Sequence, residues 1–384
     1  MYLKSLHLHR FRNYRDREVQ FDDQKTIVVG NNAQGKSNLL EAVELLATLK
    51  SHRTSRDRDL VRDGDAIARI SAIVKRSYGE AEIAITMRKQ GRRVVTRNSE
   101  NLRRQMDFLG AINAVQFSSL DLDLVRGSPD SRRSWVDTLL IQLEPIYAYI
   151  LQQYNHVLRQ RNALLKKIRN LEENPPSREL TAQLALWDAQ LAAHGSRVTR
   201  RRARVLERLA PIAQSWHEQI SGKTEVLEIE YAPNVARSQD SPEQVQQAFL
   251  EKIQQRRIAE QNLGTTVVGP HRDEVDLIIN HTPARSYGSQ GQQRTLVLAL
   301  KLAELKLIEE VIGEPPLLLL DDVLAELDPN RQNQLLEAIQ DRFQTIITTT
   351  HIHSFDNRWL QNSQILAVEA GEIHPLLRET YRDN

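Results

Sequence analysis

The chain has 384 residues, no cysteine, 5% aromatic residues and a formal net charge of +2. Without cysteine there are no disulfides and no cysteine-ligated zinc or iron–sulfur centres, and a near-neutral charge sets up no global field toward nucleic acid or a membrane. The length suits two or three domains, or one domain with a large insertion, and no apolar run approaches the ~18 residues of a membrane span, so a soluble cytoplasmic protein is expected.

In chain order, Leu6, Leu8 and Phe11 alternate with His7 and His9 as on a half-buried strand, and Val19 and Phe21 extend the pattern. Thr26–Val29 reads as a short buried strand, and residues 38–49 carry Leu39, Leu40, Val43, Leu46 and Ala47 at helical spacing. Between them stands Gly30-Asn31-Asn32-Ala33-Gln34-Gly35-Lys36-Ser37. Strand, Gly-rich turn and helix make this a phosphate-binding loop. Its backbone N–H groups and the helix N-terminus would face a polyphosphate, Lys36 would reach the terminal phosphates, and Ser37 would offer a hydroxyl to Mg²⁺. Residues 66–75 and 81–88 alternate again, with Tyr78-Gly79 as the turn between them.

From Ser131 the period changes. Val136, Leu140, Leu143, Tyr147, Ile150, Tyr154, Val157, Leu164, Ile168 and Leu171 fall at heptad spacing, broken where Arg161 takes a core position. Asn174-Pro175-Pro176-Ser177 interrupts the seam, which resumes with Leu180, Leu184, Trp187, Leu191, His194, Val198, Arg201 and Val205. Two long helices joined by a proline turn and packed antiparallel are expected, about forty residues giving an arm of about 60 Å. Because the seam carries Arg161, His194 and Arg201, two helices of an ordinary bundle fit the same pattern. Val226–Tyr231 is a candidate strand, and Ser241-Pro242-Glu243-Gln244 opens a capped helix running to about Asn262.

Leu317-Leu318-Leu319-Leu320-Asp321-Asp322 is a strand buried on both faces that ends in two carboxylates. Asp321 would emerge at the carboxyl edge and hold Mg²⁺, and Asp322 would point at the attacking water. Ser289-Gln290-Gly291-Gln292 opens a further helix, a second anion-seeking helix start. With one phosphate loop in the chain, the economical reading sends Ser289 and Gly291 to the γ-phosphate of a second subunit. An ordinary capped helix is the alternative.

The phosphate loop, Ser289-Gln290-Gly291-Gln292, Leu320-Asp321-Asp322 and Glu326-Leu327-Asp328 together resemble the ATP-binding-cassette heads of the SMC class. More narrowly, the chain resembles the RecF family of bacterial recombination mediators. That likeness rests on Phe11-Arg12-Asn13-Tyr14, Gly127-Ser128-Pro129 with Arg132-Arg133, Gln160-Arg161-Asn162, Gly269-Pro270-His271-Arg272-Asp273 and Ser289-Gln290-Gly291-Gln292-Gln293-Arg294-Thr295. The resemblance implies an α/β ATPase head of residues 1–125 and 265–384, with an inserted, mainly helical lobe of residues 126–264. It implies a homodimer that forms with ATP and Mg²⁺, binds single-stranded or gapped DNA without sequence specificity, hydrolyses ATP slowly and aids recombinase loading with RecO- and RecR-like partners. Arg12, Asn13 and Asn38 would lie near the nucleotide, and Glu326, Leu327 and Asp328 would form a dimer-contact loop. Lys36, Asp322 and His351, the last as γ-phosphate sensor, would be the catalytic residues. Gln116 is a weaker candidate link from Mg²⁺ to the insertion. Two positions depart from the wider cassette pattern: Asp322 stands where a Glu is usual, and Ala325 where Ser is often found.

Basic clusters over residues 50–62, 88–104 and 197–204 are candidates for DNA-backbone contact. Acids interleave the first, which reads as solvated surface. Lys89, Arg92, Arg93 and Arg97 of the second and Arg200, Arg201 and Arg202 of the third are the stronger candidates. The ATPase subunit of a transporter and a nonhydrolysing ATP-gated binding module are the rival readings.

Overall fold

The structure, a computed structural model, describes residues 1–171, 177–236, 240–339, 342–352, 355 and 357–376, with the backbone alone for Glu326, Asn357 and Arg358. The expected turn at Asn174-Pro175-Pro176 lies outside them.

The chain opens with the hairpin β1 (Tyr2–Phe11) and β2 (Tyr14–Gln20), then β3 (Lys25–Val29) and α1 (Lys36–Thr48). Strands β4 (Ile67–Arg76), β5 (Gly79–Arg88), β6 (Val94–Arg97), β7 (Glu100–Asn101) and β8 (Ala114–Ser118) follow. Helices α2 (Asp123–Arg126), α3 (Pro129–Leu143), α4 (Ile146–Asn170) and α5 (Arg178–Ile220) precede β9 (Leu227–Ala232) and α6 (Pro242–Leu263). Next come β10 (Glu274–Ile279), β11 (Thr282–Pro283), α7 (Ala284–Tyr287) and α8 (Gln290–Ile312). The chain ends with β12 (Leu317–Asp321), α9 (Pro329–Ile339), β13 (Thr345–Thr349), α10 (Asn357–Gln361), β14 (Gln364–Glu369) and β15 (Glu372–Pro375).

These elements fall into two compact units. The first comprises Met1–Leu122, Gln219–Lys223 and the chain from Arg294 onward. It holds two six-stranded sheets, ordered β2-β1-β4-β5-β6-β7 and β15-β14-β3-β13-β12-β8. In the second sheet β14, β3, β13, β12 and β8 are all parallel, which suits the unbroken apolar runs of β3, β12 and β13. The expected strands of residues 26–29 and 317–320 share this sheet with β13 between them. Leu39, Leu40, Val43 and Leu46 of α1 join the core with Leu6, Leu8 and Ile70 of the first sheet and Leu319 and Ile346 of the second. Gln344 ties the sheets as a backbone would: its Oε1 accepts from the Leu3 amide at 2.6 Å and its Nε2 donates to the Leu3 carbonyl at 2.9 Å.

The second unit, Asp123–Glu218 and Thr224–Gln293, contains the helices α2 to α7 and the antiparallel sheet β11-β10-β9. The expected return to the head at residue 265 is therefore too early. β10 pairs with β9 along its whole length, which keeps residues up to Gln293 with the helical unit.

The heptad seam is also cut where one helix was expected. α3 ends at Leu143 and α4 begins at Ile146, with Glu144 at φ −135°, ψ 87° before Pro145. A residue preceding proline is driven out of the α region, and the ring supplies no N–H to continue the ladder. α5 alone runs 43 residues, about 65 Å. Near its start, Leu164, Leu165 and Ile168 of α4 meet Leu180, Leu184 and Trp187.

The arginine in the α4 part of the seam has a bond at each of its three nitrogens. Arg161, 1% exposed, donates from Nε to Asp188 Oδ1 at 2.8 Å, from Nη1 to Thr266 Oγ1 at 2.8 Å and from Nη2 to Glu260 Oε2 at 2.6 Å. Asp188 also accepts from Arg257 at 2.8 Å.

Candidate nucleotide site

The Gly30–Ser37 loop leaves β3 and enters α1 through two left-handed residues, Ala33 at φ 64° and Gly35 at φ 122°. Any side chain at Gly35 would strike Asn13, since a Cβ there would lie 2.6 Å from Asn13 Nδ2. The first hairpin clasps the loop from that side. Asn13 Nδ2 donates to the Gln34 carbonyl at 2.7 Å, Tyr14 Oη donates to the Gly35 carbonyl at 2.9 Å, and Asn38 Nδ2 donates to Asn13 Oδ1 at 2.8 Å. From β14–β15 the Gly371 amide adds a bond to the Gln34 carbonyl at 3.1 Å, and the Ala370 amide reaches Gln34 Oε1 at 2.6 Å. Asn31, Asn32 and Ala33 stay exposed at the crown of the loop.

Lys36 curls back over its own loop, donating from Nζ to the carbonyls of Gly30 at 2.7 Å and Asn31 at 3.0 Å. Burial lowers its pKa, while the charges of Asp322 and Asp321 pull the other way. Arg12, at φ 53°, is held by its fork to Glu41 of α1, Nε–Oε2 2.8 Å and Nη2–Oε1 2.6 Å. Its Nη1 donates to the Asp59 carbonyl at 2.8 Å. Arg12, Asn13, Asn38, Arg53 and Asp59 border an open polar recess of about 540 Å³.

β12 delivers the two carboxylates. Ser37 Oγ donates to Asp321 Oδ1 at 2.8 Å, and so does Thr348 Oγ1 at 2.7 Å. Asp322 sits at φ 56°, and its Oδ1 is buried with no hydrogen-bond partner among the described residues. Gln116 on β8, paired with Leu319 of β12, is in the same condition at both Oε1 and Nε2. His351 follows β13 with its amide bonded to Thr349 Oγ1 at 3.1 Å.

Of the expected dimer-contact loop, Leu324–Glu326 is a 3₁₀ turn, and Asp328 caps α9 by accepting from the Arg331 amide at 3.2 Å. The Arg331 side chain also bonds Asp328, which lowers the carboxyl's pKa, and reaches Thr295 Oγ1 at 2.8 Å. In the other unit, Ser289 and Gln292 form a reciprocal capping box. The Ser289 amide donates to Gln292 Oε1 at 2.8 Å, and the Gln292 amide donates to Ser289 Oγ at 3.2 Å. Ser289 and Gln290 are exposed and Gly291 is half-buried.

The profile of the RecF/RecN/SMC N terminal domain matches residues 2–374. The DNA replication and repair protein RecF of Rippkaea orientalis is 71% identical over 379 residues, covering 98% of this chain and all of its own. The chain belongs to the RecF family. The RecF of Nostoc punctiforme is 68% identical over 377 residues, covering 98% of this chain and 100% of its own. A solved structure described as the recombination mediator protein RecF with ATP in the RecFOR pathway superposes with a TM-score of 0.89 at 32% identity, covering 98% of both chains. The Smc head domain of Pyrococcus furiosus, at 16% identity and a TM-score of 0.55 over 99% of this chain and 97% of its own, shares the fold.

Among the RecF-family motifs, Gly269–Asp273 turns out to be scaffold. His271 Nε2 donates to the Thr266 carbonyl at 3.1 Å, and its Nδ1 accepts from Tyr154 Oη at 2.6 Å. Burial lowers the imidazole pKa to about 4. Gly269, at φ 132°, leaves room for that tyrosine: a Cβ there would lie 2.5 Å from Tyr154 Oη.

The basic candidates divide. Arg202 is 4% exposed and lies in a buried frame, its Nε and Nη2 on the two oxygens of Asp137 at 2.9 Å and its Nη1 on the Pro270 carbonyl at 2.7 Å and Asp273 at 3.1 Å. Arg93 forks onto Asp57 and donates to the Leu49 carbonyl at 2.6 Å. Burial takes Arg202 out of reach of a phosphate, and Arg93 already holds a carboxylate and a carbonyl, so the DNA reading passes to the other members of the two clusters. Arg200 and Arg201 are paired with Asp240 at 2.7 Å and Glu144 at 3.2 Å. Arg97 is half-buried, whereas Lys89 and Arg92 are exposed. The sequence reading missed Glu41 and Thr348, and quoted Tyr14 only as part of a family motif. A carboxylate in the buried stripe of α1, Glu41, was the one signal available for them. Among the described residues no helix is long and apolar enough to cross a membrane.

Proposed function

We propose that this RecF-family chain is an ATP-dependent homodimer that binds DNA in recombinational repair and replication recovery and hydrolyses ATP slowly. The observation that carries the reading is the Ser37–Asp321 contact at 2.8 Å, which sets the hydroxyl of the phosphate loop against the acidic strand end. The donor set suits MgATP. Ser37 and Asp321 are oxygen ligands of the kind Mg²⁺ takes, and the orphaned Gln116 amide is a polar group in want of a partner. The loop amides and Lys36 would hold the phosphates, with Arg12, Asn13 and Asn38 bordering the nucleotide. Mg²⁺, when bound, would neutralise charge developing between the β- and γ-phosphates.

The chemistry falls to Asp322. Its unpartnered Oδ1 would accept a proton from a water admitted beside it, and its burial, with a side chain one methylene shorter than Glu, fits slow turnover. Ser289 and its neighbours Gln290, Gly291 and Gln292 would meet the γ-phosphate of the second subunit. The capping box uses the Ser289 oxygen as acceptor, so its hydroxyl hydrogen can be donated outward. Leu327 and Asp328 would line the dimer contact beside Glu326, and His351 would sense the γ-phosphate.

Single-stranded or gapped DNA would be met through its backbone by Lys89, Arg92 and Arg97. Arg200 and Arg201 would first have to exchange their carboxylate partners for phosphate. RecO- and RecR-like proteins are the expected partners in recombinase loading. The family assignment sets aside the transporter alternative. The Asp322 substitution favours, as a second reading, a module that ATP closes without turnover.

Sedimentation with ATP, with ADP and without nucleotide tests the proposal. A dimer should form with ATP alone, and Lys36→Ala should stay monomeric with severely weakened ATP binding. A monomer under all three conditions overturns it, and ATP turnover with and without gapped DNA separates the enzyme from the module.

A further inference from the structure

Thr348 lies on β13, between the strand of the phosphate loop and the strand of the carboxylates, and is 1% exposed. Its hydroxyl makes two short bonds, with the Leu320 carbonyl a more distant neighbour at 3.4 Å. Oγ1 donates to Asp321 Oδ1 at 2.7 Å and accepts the Asp322 amide at 3.0 Å. One side chain therefore bonds the carboxylate of the first acid and the backbone of the second. Both bonds reaching the Asp321 carboxylate, from Thr348 and from Ser37, fall on Oδ1, which leaves Oδ2 as the oxygen for a further ligand. The Asp322 amide is anchored on Thr348 where the chain takes φ 56°, a left-handed conformation uncommon for a residue with a side chain and stable only when its surroundings enforce it.

We infer that Thr348 is a positioning residue that separates the tasks of the two acids, orienting Asp321 toward Mg²⁺ and fixing Asp322 in the turn that aims its carboxylate. The inference rests on the ATPase reading above. A valine at this position would fill the same volume and remove both hydroxyl bonds, leaving the Asp322 amide only the longer contact to the Thr348 carbonyl at 3.3 Å, whereas a serine would retain both. Groups that orient a metal ligand from behind typically contribute about 10- to 100-fold to metal affinity.

The test measures ATP affinity of the full chain in Mg²⁺ and in EDTA, together with amide exchange at Asp322, for Thr348→Val and Thr348→Ser. In Thr348→Val the gain in ATP affinity that Mg²⁺ confers should shrink about 10- to 100-fold while the affinity in EDTA is unchanged, and the Asp322 amide should exchange faster. Thr348→Ser should retain both properties. Should the valine variant fail to fold, Thr348→Ala takes its place in the same comparison. Equal Mg²⁺ dependence in the hydroxyl-free and hydroxyl-bearing variants, whether both retained or both lost, overturns the role of the hydroxyl. If the unsubstituted protein gains no ATP affinity from Mg²⁺, the ATPase reading fails and this inference with it.

Discussion

Ser37 at the start of α1 and Asp321 at the end of β12 are 284 positions apart in the chain and hydrogen-bonded at 2.8 Å. A hydroxyl and a carboxylate held at that distance can both turn to one cation, and the neighbouring Asp322 stays out of that pair. Substitutions should therefore separate binding from chemistry. Asp321→Asn should lose Mg²⁺-dependent ATP affinity. Asp322→Asn should bind ATP and turn over about 10²- to 10⁴-fold more slowly in single-turnover measurements. Normal turnover in Asp322→Asn would remove that residue from the mechanism.

The capping box makes Ser289 a structural residue as well as a proposed contact across the dimer. Ser289→Arg should destabilise the chain by about 1 kcal/mol through the lost cap. It should bind ATP as a monomer but neither dimerise nor hydrolyse it. Mixed with Lys36→Ala it should recover part of the dimer and of the activity, because one composite site keeps two sound halves. Full activity of Ser289→Arg on its own would show that the start of α8 does not act across subunits.

Buried and exposed cations should respond in opposite ways. Arg202→Met leaves Asp137 and Asp273 uncompensated and should destabilise by about 3–5 kcal/mol in urea unfolding. Lys89→Ala and Arg92→Ala should change stability by less than about 0.5 kcal/mol. They should instead weaken DNA binding and flatten its dependence on salt. An unaltered salt slope in the double variant would place the DNA contact elsewhere.

His271 gives the fold an acid limit. Its folded pKa of about 4 lies below the ordinary value of 6.5, so between those pH values the unfolded chain binds the proton and the folded chain does not. The contribution is complete above pH 6.5 and is lost as pH falls toward 4, amounting to at most about 3 kcal/mol. Unfolding free energies measured across that window should drop for the natural chain and drop less for His271→Gln.

The local geometry of the candidate site was legible from the chain because it is written in contiguous residues. A phosphate loop between strand and helix and an apolar strand ending in Asp321-Asp322 each carry their own context. What escaped was set by distant partners. Arg202 reads as one of several consecutive arginines, and nothing nearby announces Asp137 or Asp273. Arg93 likewise finds Asp57 only in three dimensions. The break at Glu144–Pro145 escaped for another reason: Leu143 and Tyr147 are four apart, so the seam stays in phase across a helix end. The β9–β10 pairing that moves the boundary from residue 265 to Gln293 joins strands with no shared motif.

The sheet that holds β3 and β12 sets the timetable of folding. Its first strand in the chain, β3, finds its neighbours only in β13 and β14, and the Thr26–Gln364 bond spans 338 residues. At 5–20 residues per second a ribosome needs roughly 15–70 s to make that intervening chain. Until β13 is made β3 has no parallel neighbour, and pairing over such separations is intrinsically slow and exposed to aggregation. The contact between Ser37 and Asp321 is thus among the later features of the molecule to form, because the strand that carries Asp321 is made only after most of the chain.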